Sequence, residues 1–275
     1  MTLTSLTTPA GHAALDGSRR DVQDALYGPA SRRLLREAGI GPDMRVLDLS
    51  SDGGSLARHL AMLVGPRGHV TAFARSEADA AGCAARLRAE GITNVSVGHG
   101  GIEPRDATMP FDAVAGRFVL RELRAPIETL HRLIPRLAPG GRVVFLEKVL
   151  AVPIRVFPPV PEVEKVVAWM DEARVRSSVQ REIGVRLPEL LERAGLPAPE
   201  VRCESPVDCG PAWPACDYLA EQLRVMEPLM EHFAIATPSQ LALETLPARL
   251  RAACARSPGT VILLAPMIAA WSRVP

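Results

Sequence analysis

Apolar and polar positions along the chain fall into two rhythms. Between residues 44 and 148, short apolar runs alternate with stretches of helical period across brief loops. Met44 to Leu49 reads as a buried strand, Ser55 to Leu63 as a helix and His69 to Ala74 as a second strand. Glu77 to Glu90 is an Ala-rich helix, Asn94 to Val97 a short strand, Phe111 to Arg117 a fourth strand and Pro126 to Leu137 a helix. Pro139-Gly140-Gly141 predicts a turn before a fifth strand, Arg142 to Lys148. Strands alternating with helices on short connections imply a parallel sheet covered on both faces, hence an α/β fold.

Outside that region the rhythm differs. Residues 1–18 are rich in Thr, Ser and Gly and read as a frayed end. Val22, Leu26, Leu34 and Leu35 keep helical spacing between Arg20 and Glu37, and the Gly28-Pro29 pair predicts a break into two short helices. Val152 to Pro161 holds four prolines and reads as a connector. Glu162 to Ser178 is a long amphipathic helix, and Leu187 to Ala194 another, stopped by Gly195. Val201 to Val207 predicts a strand, residues 213–254 three helical pieces broken near Pro228 and Pro238, and Thr260 to Ala265 a closing strand. The expected organisation is an N-terminal helical cap over 1–41, a core over 42–150, and the rest of that core with helical lid insertions over 151–275.

Composition narrows the function classes. The 275 residues carry 32 Lys+Arg against 31 Asp+Glu, and a net charge of +1 predicts no general pull toward nucleic acid or an anionic membrane. No basic stripe interleaved with aromatics appears either. Lys148 and Lys165 are the two lysines, and arginine supplies every other basic residue, a bias that fits a GC-rich genome better than an arginine-based function. The five cysteines, Cys83, Cys203, Cys209, Cys216 and Cys254, show no CxxC pair or metal-site spacing and read as reduced thiols in a cytoplasmic protein. The first thirty residues lack a charged segment followed by an apolar run. The longest apolar stretch, Thr260 to Trp271, contains Pro266 and is too short to span a bilayer. No GxSxG elbow or cysteine–histidine signal points to nucleophilic hydrolysis.

Ligands of an open α/β sheet bind beyond the carboxyl ends of its strands. The first strand and turn read Val46-Leu47-Asp48-Leu49-Ser50-Ser51-Asp52-Gly53-Gly54-Ser55. Four further pieces keep their order and spacing: Gly65-Pro66-Arg67-Gly68, Phe111-Asp112-Ala113-Val114, Arg117-Phe118-Val119-Leu120 and Leu137-Ala138-Pro139-Gly140-Gly141. With Met44-Arg45-Val46-Leu47-Asp48 they resemble the class I S-adenosylmethionine (SAM) methyltransferases, in the ubiquinone/menaquinone C-methyltransferase-like branch, from about Tyr27 to the C-terminus. The resemblance implies a Rossmann-like class I methyltransferase fold: a seven-stranded, mostly parallel sheet with a helical cap and an antiparallel last strand. The cofactor-binding positions it implies are Asp48, Ser50, Gly53, Gly54, Ala74 and Gly101.

Those positions depart from the family pattern. Asp48 matches the first motif's acid and Gly54 its third glycine, but Ser50 and Asp52 stand where the first two glycines let the backbone approach the cofactor. Ala74 occupies the place of the acid that holds the ribose hydroxyls, and Gly101 that of the acid that accepts from the adenine amine. Losing two charge-assisted hydrogen bonds costs about 3–6 kcal/mol, on the order of a hundredfold to ten-thousandfold in affinity. The expectation is a vestigial SAM site and no cofactor. SAM is expected only if rearranged partners such as Glu77 or Glu103 restore it.

Arg75, His99, Arg117 and Arg121 fall at or just beyond strand carboxyl ends, so the cleft gains cations that suit an anionic or carbonyl-bearing ligand. Arg117, His99, Tyr27 and Glu147 are the catalytic candidates: three donors to polarise a carbonyl, with His99 also a general acid or base, and a base at the end of strand five. Arg121, Trp169, Trp213 and Tyr218 are the substrate-binding candidates, with Met170, Met226 and Met230 nearby in an apolar chamber. Each has a plainer role: Arg75 and Arg121 reaching solvent, His99 a loop donor, Glu147 an ion-paired strand end, the aromatics and methionines ordinary core. Three functions stay open. One is a cyclase, lyase or isomerase of small-molecule secondary metabolism on a methyltransferase scaffold. The second is a working SAM-dependent O-, N- or C-methyltransferase, and the third a silent partner subunit of an active homologue. The partner expected for the enzyme readings is an apolar or carbonyl-bearing small molecule, with a homodimer as the assembly.

Overall fold

The computed structural model describes residues 13–50, 53–74, 76–99, 110–177, 179–210 and 212–275. Helix α1 (Ala13–Glu37) precedes the predicted alternation of β1 (Arg45–Asp48), α2 (Ser55–Val64), β2 (His69–Ala74), α3 (Glu77–Ala89) and β3 (Val95–His99). It continues with β4 (Phe111–Arg117), α4 (Pro126–Leu133) and β5 (Leu137–Lys148). The remaining elements are β6 (Arg155–Phe157), α5 (Pro161–Arg176), α6 (Leu187–Arg193), β7 (Glu200–Glu204) and β8 (Val207–Asp208). After them come α7 (Pro214–His232), α8 (Pro238–Leu241), α9 (Leu246–Ala255), β9 (Val261–Leu263) and β10 (Met267–Arg273).

These elements form two compact units. The first comprises Gly28–Val149, Glu182–Glu204 and Met267–Pro275. Its seven-stranded sheet has the order β3-β2-β1-β4-β5-β10-β7. Strands β1 to β5 pair in parallel, and β10 runs antiparallel to both β5 and β7. The central parallel strands β1, β4 and β5 bury both faces, as crossover helices require. One face carries Leu47, Val114, Val143 and Phe145 against Leu130 and Leu133 of α4 and Leu187, Leu190 and Leu191 of α6.

Register fixes what points to the other face. Asp48 pairs with Ala115, and Arg117 with Leu146, so Asp48, Arg117 and Lys148 point to the same face, each stepped two residues further along its strand. Glu147, next to Lys148, pairs with Ile268 on the α4/α6 face.

The second unit holds residues up to Tyr27, Leu150–Arg181 and Ser205–Pro266. Helices α5, α7, α8 and α9 accompany a three-stranded antiparallel sheet of order β6-β9-β8. Arg251 pairs with Asp217 at 2.6 Å and Arg249 with Glu162 at 3.1 Å, and the Asp208 carboxylate accepts the Ala215 N–H at 2.7 Å.

Several expectations from the sequence are corrected. α1 is one helix with Pro29 inside it, because Tyr27, Ala30, Leu34 and Leu35 are buried on either side while Pro29 faces solvent. Thr260 to Ala265 supplies β9 of the small sheet, not the last strand of the large one, which is β10. Val201 to Val207 divides at Ser205-Pro206 into β7 and β8 of different sheets, since proline has no N–H for a ladder. Pro228 sits inside an uninterrupted α7, the connector contains β6, and the Gly140 turn (φ 75°) lies within β5.

Candidate functional site

Asp48 ends β1 fully buried, and its Oδ1 accepts the Ser50 N–H at 2.8 Å. The Ser50 hydroxyl accepts the Arg117 N–H at 2.7 Å, joining the end of β1 to the end of β4. Ser50 and Arg117 are each 2% exposed. The Arg117 guanidinium donates from Nη1 to the Ser31 hydroxyl of α1 at 3.3 Å. Immediately after β4, Phe118 holds a left-handed backbone (φ 58°) that a bulky residue adopts only where its surroundings enforce it. Its N–H donates to the Leu146 carbonyl at 2.8 Å. The ring lies 4.3 Å from Lys148 Nζ and 5.7 Å from Arg117 Cζ, both in cation–π range.

The turn into α2 keeps two glycines with positive φ, 68° at Gly53 and 92° at Gly54. A Cβ on Gly54 would lie 2.6 Å from Cys83 Sγ of α3, so packing alone demands glycine there. Its match to the family motif therefore carries no information about a cofactor.

Glu147 is fully buried on the opposite face, where its Oε1 accepts the Leu120 N–H at 2.7 Å. Burial pushes its carboxyl up to about 7, against the pull of the Arg121 charge and the N–H groups of Leu120 and Val119. The structure thus brings Arg121 to Glu147, and separates Glu147 from Arg117 by the thickness of the sheet. Register thus puts these two catalytic candidates on opposite faces of the sheet.

Ala74 closes β2 opposite His99, the last residue of the edge strand β3, and His99 is exposed. Asp52, Arg75, Gly101 and Glu103 lie outside the described residues. In the second unit, the Tyr27 hydroxyl donates its proton to the Ala265 carbonyl at 2.9 Å, and its ring lies 6.1 Å from that of Tyr218. Trp213, buried with φ 43°, caps α7, and half-buried Trp169 stacks under Lys165 Nζ at 4.9 Å. An open cleft of about 320 Å³ is lined by Pro159, Val160, Pro161, Glu162, Ala253, Arg256 and Ser257, none of them a predicted site residue. Sequence reasoning missed Lys148 and Phe118. A lysine closing an apolar strand in a chain nearly devoid of lysine was the available signal.

At the ends of β1 and β2 the described residues do not fit SAM in the family manner. Ala74 ends β2 with a methyl group and no carboxylate, and the Ser50 side chain just beyond β1 is buried and hydrogen-bonded to β4. Among the described residues no cluster of His, Cys, Asp or Glu has metal-binding geometry, and no helix is long and apolar enough to cross a membrane.

A search of curated proteins finds no match. Solved structures share the fold at low identity. A Bacillus halodurans protein assigned as a methyltransferase aligns at 17% identity and TM-score 0.57, covering 89% of this chain and 98% of its own. YcgJ of Bacillus subtilis aligns at 15% and 0.53, covering 89% and 98%. The 4+2 cyclase SpnF aligns at 18% and 0.50, covering 90% and 81%. A sequence profile described as a methyltransferase domain matches residues 20–196. With the seven-stranded sheet and its antiparallel β10, this makes the chain a member of the methyltransferase domain family.

Proposed function

We propose that this chain is a methyltransferase-fold enzyme of small-molecule metabolism that does not transfer a methyl group from SAM. In this reading it promotes a cyclisation, elimination or isomerisation of an apolar, carbonyl-bearing substrate. The observation that carries the reading is the bond from the Arg117 N–H to the Ser50 hydroxyl. It fills with a fixed side chain the place where the family brings bare backbone to its cofactor, and Ala74 removes the ribose partner one strand away. Arg117 would polarise the carbonyl oxygen as a charged donor in a dry site, and the site would hold a flexible substrate in a reactive shape. Glu147 faces away from Arg117 and holds the Leu120 turn instead. SpnF, an enzyme named as a cyclase, shares the fold and supports the reading at that level.

The second reading is a SAM-dependent methyltransferase of a small molecule, favoured by the family itself. Calorimetry of the full chain with SAM and with its demethylated product separates the two. The expected result is no binding in the micromolar range. Micromolar binding, or methyl transfer from labelled SAM to any candidate substrate, would overturn the proposal. A silent partner subunit would instead co-purify with an active homologue and show no turnover alone.

A further inference from the structure

The two oxygens of the buried Glu147 carboxyl meet unequal surroundings. Oε1 accepts the Leu120 N–H at 2.7 Å, while Oε2 is buried and meets no hydrogen-bond donor among the described residues. A carboxylate out of water needs partners on both oxygens, so this pocket suits the neutral acid better than the anion. Burial accordingly pushes the carboxyl up to about 7, against the Arg121 charge that favours the anion, and Glu122 opposes the anion as well. The other walls carry no charge. Ile268 lies opposite on β10, and Gly184, ahead of α6, packs on the backbone, where a Cβ would stand 2.8 Å from the Glu147 carbonyl oxygen. Arg117 and Lys148 point to the far face.

These walls differ in how firmly they are held. Ile268 belongs to a strand laddered on both sides, to β5 and to β7. The single turn of 3-10 helix Leu120–Glu122 has no ladder. Its own bonds run from the Glu122 N–H to the Val119 carbonyl at 3.0 Å and from the Leu123 N–H to the Leu120 carbonyl at 3.2 Å. Its Leu120 N–H is tied to β5 through the Glu147 carboxyl itself. The turn follows Phe118, whose left-handed backbone holds only while its surroundings enforce it, and whose N–H is fixed to the Leu146 carbonyl. A strained hinge thus stands before the turn, and a titratable anchor lies within it.

We infer that Glu147 is a proton-operated latch on the turn Leu120–Glu122: the neutral acid keeps the turn shut over it, and ionisation opens the turn so that the carboxylate reaches water. The direction follows from linkage. A carboxyl that holds its proton more tightly in the shut state than in water stabilises the shut state at low pH and loses that contribution as pH rises. Phe118 carries the movement to the other face of the sheet, where its ring lies 4.3 Å from Lys148 Nζ and 5.7 Å from Arg117 Cζ. Opening therefore resets the candidate site from behind. The latch stands on the geometry of the turn and holds whatever chemistry Arg117 performs.

Amide hydrogen exchange on the full chain tests this. The Leu120 rate at each pH is divided into the intrinsic rate to give a protection factor. The Leu49 N–H, bonded to the Ala115 carbonyl in the central sheet, serves as the reference for global unfolding. The expected result is a Leu120 protection below that of Leu49, falling by about tenfold between about pH 6 and about pH 8.5. In Glu147→Gln the Leu120 protection should stay level across the same range. A wild-type Leu120 protection that does not fall, or that equals the Leu49 value at every pH, would overturn the inference, as would a variant that keeps the fall. The wild-type comparison decides the matter even where the variant does not fold, and the calorimetry above succeeds or fails independently of it.

Discussion

The Glu147 carboxyl, raised to about 7, makes folding depend on pH in a defined direction. A group whose folded value lies above its unfolded one stabilises fully below the unfolded value and loses that stabilisation as pH rises through the folded one. Glu147 therefore contributes most below pH 4.5 and little above about 7, a swing on the order of 3 kcal/mol. Urea melts should show the wild type losing that much across the window, while Glu147→Gln stays flat and becomes the more stable form at alkaline pH. Ser50 carries a second prediction. Ser50→Ala leaves the buried Arg117 N–H without its acceptor and should destabilise by about 1–3 kcal/mol in the same melts. At Gly54 an added Cβ meets both a sulfur and a left-handed backbone. Gly54→Ala should be recovered only in part by Cys83→Ala, since removing the thiol leaves the strain.

Elements with a strong local signal were legible. β2 and β4 match the predicted spans residue for residue, because each is an apolar run bounded by a glycine or proline turn. The errors fall where tertiary contacts override local preference. Pro29 predicts a break in α1, yet buried neighbours on both sides hold the helix through it. An interior proline costs about 3 kcal/mol against alanine, and Pro29 faces solvent, so Pro29→Ala should raise the unfolding free energy by a large part of that. β10 was missed for a different reason. Met267-Ile268-Ala269-Ala270-Trp271 is buried on both faces and shows no alternation, and Pro266 cuts it from the run that was read as the strand. Side-chain direction was legible only in part. Pattern placed Arg117 and Glu147 at strand ends, but the β4/β5 register that sends them to opposite faces is a long-range property.

Across the whole molecule, the family scaffold and the proposed loss of SAM binding are separable quantities. The sheet order, the antiparallel β10 and the match over 20–196 place the scaffold in the family, while the proposed loss rests on Ser50 and Ala74. If the missing ribose partner is what weakens SAM, restoring the carboxylate should return affinity without altering the fold. Ala74 is half-buried at the open end of β2, with exposed His99 beside it, so a carboxylate there keeps access to water and adds little strain. A charged acceptor contributes about 1.5–3 kcal/mol per hydrogen bond, so Ala74→Asp should tighten binding of demethylated SAM by about ten- to a hundredfold over the wild type. Ser50→Gly, combined with it, should add to the gain while lowering stability, since it also removes the acceptor for the Arg117 N–H. Calorimetry on the two single variants and the double variant reads both quantities. No gain in any of them would mean that Ser50 and Ala74 do not decide whether the nucleoside binds, which would remove the observation on which the non-methylating proposal rests.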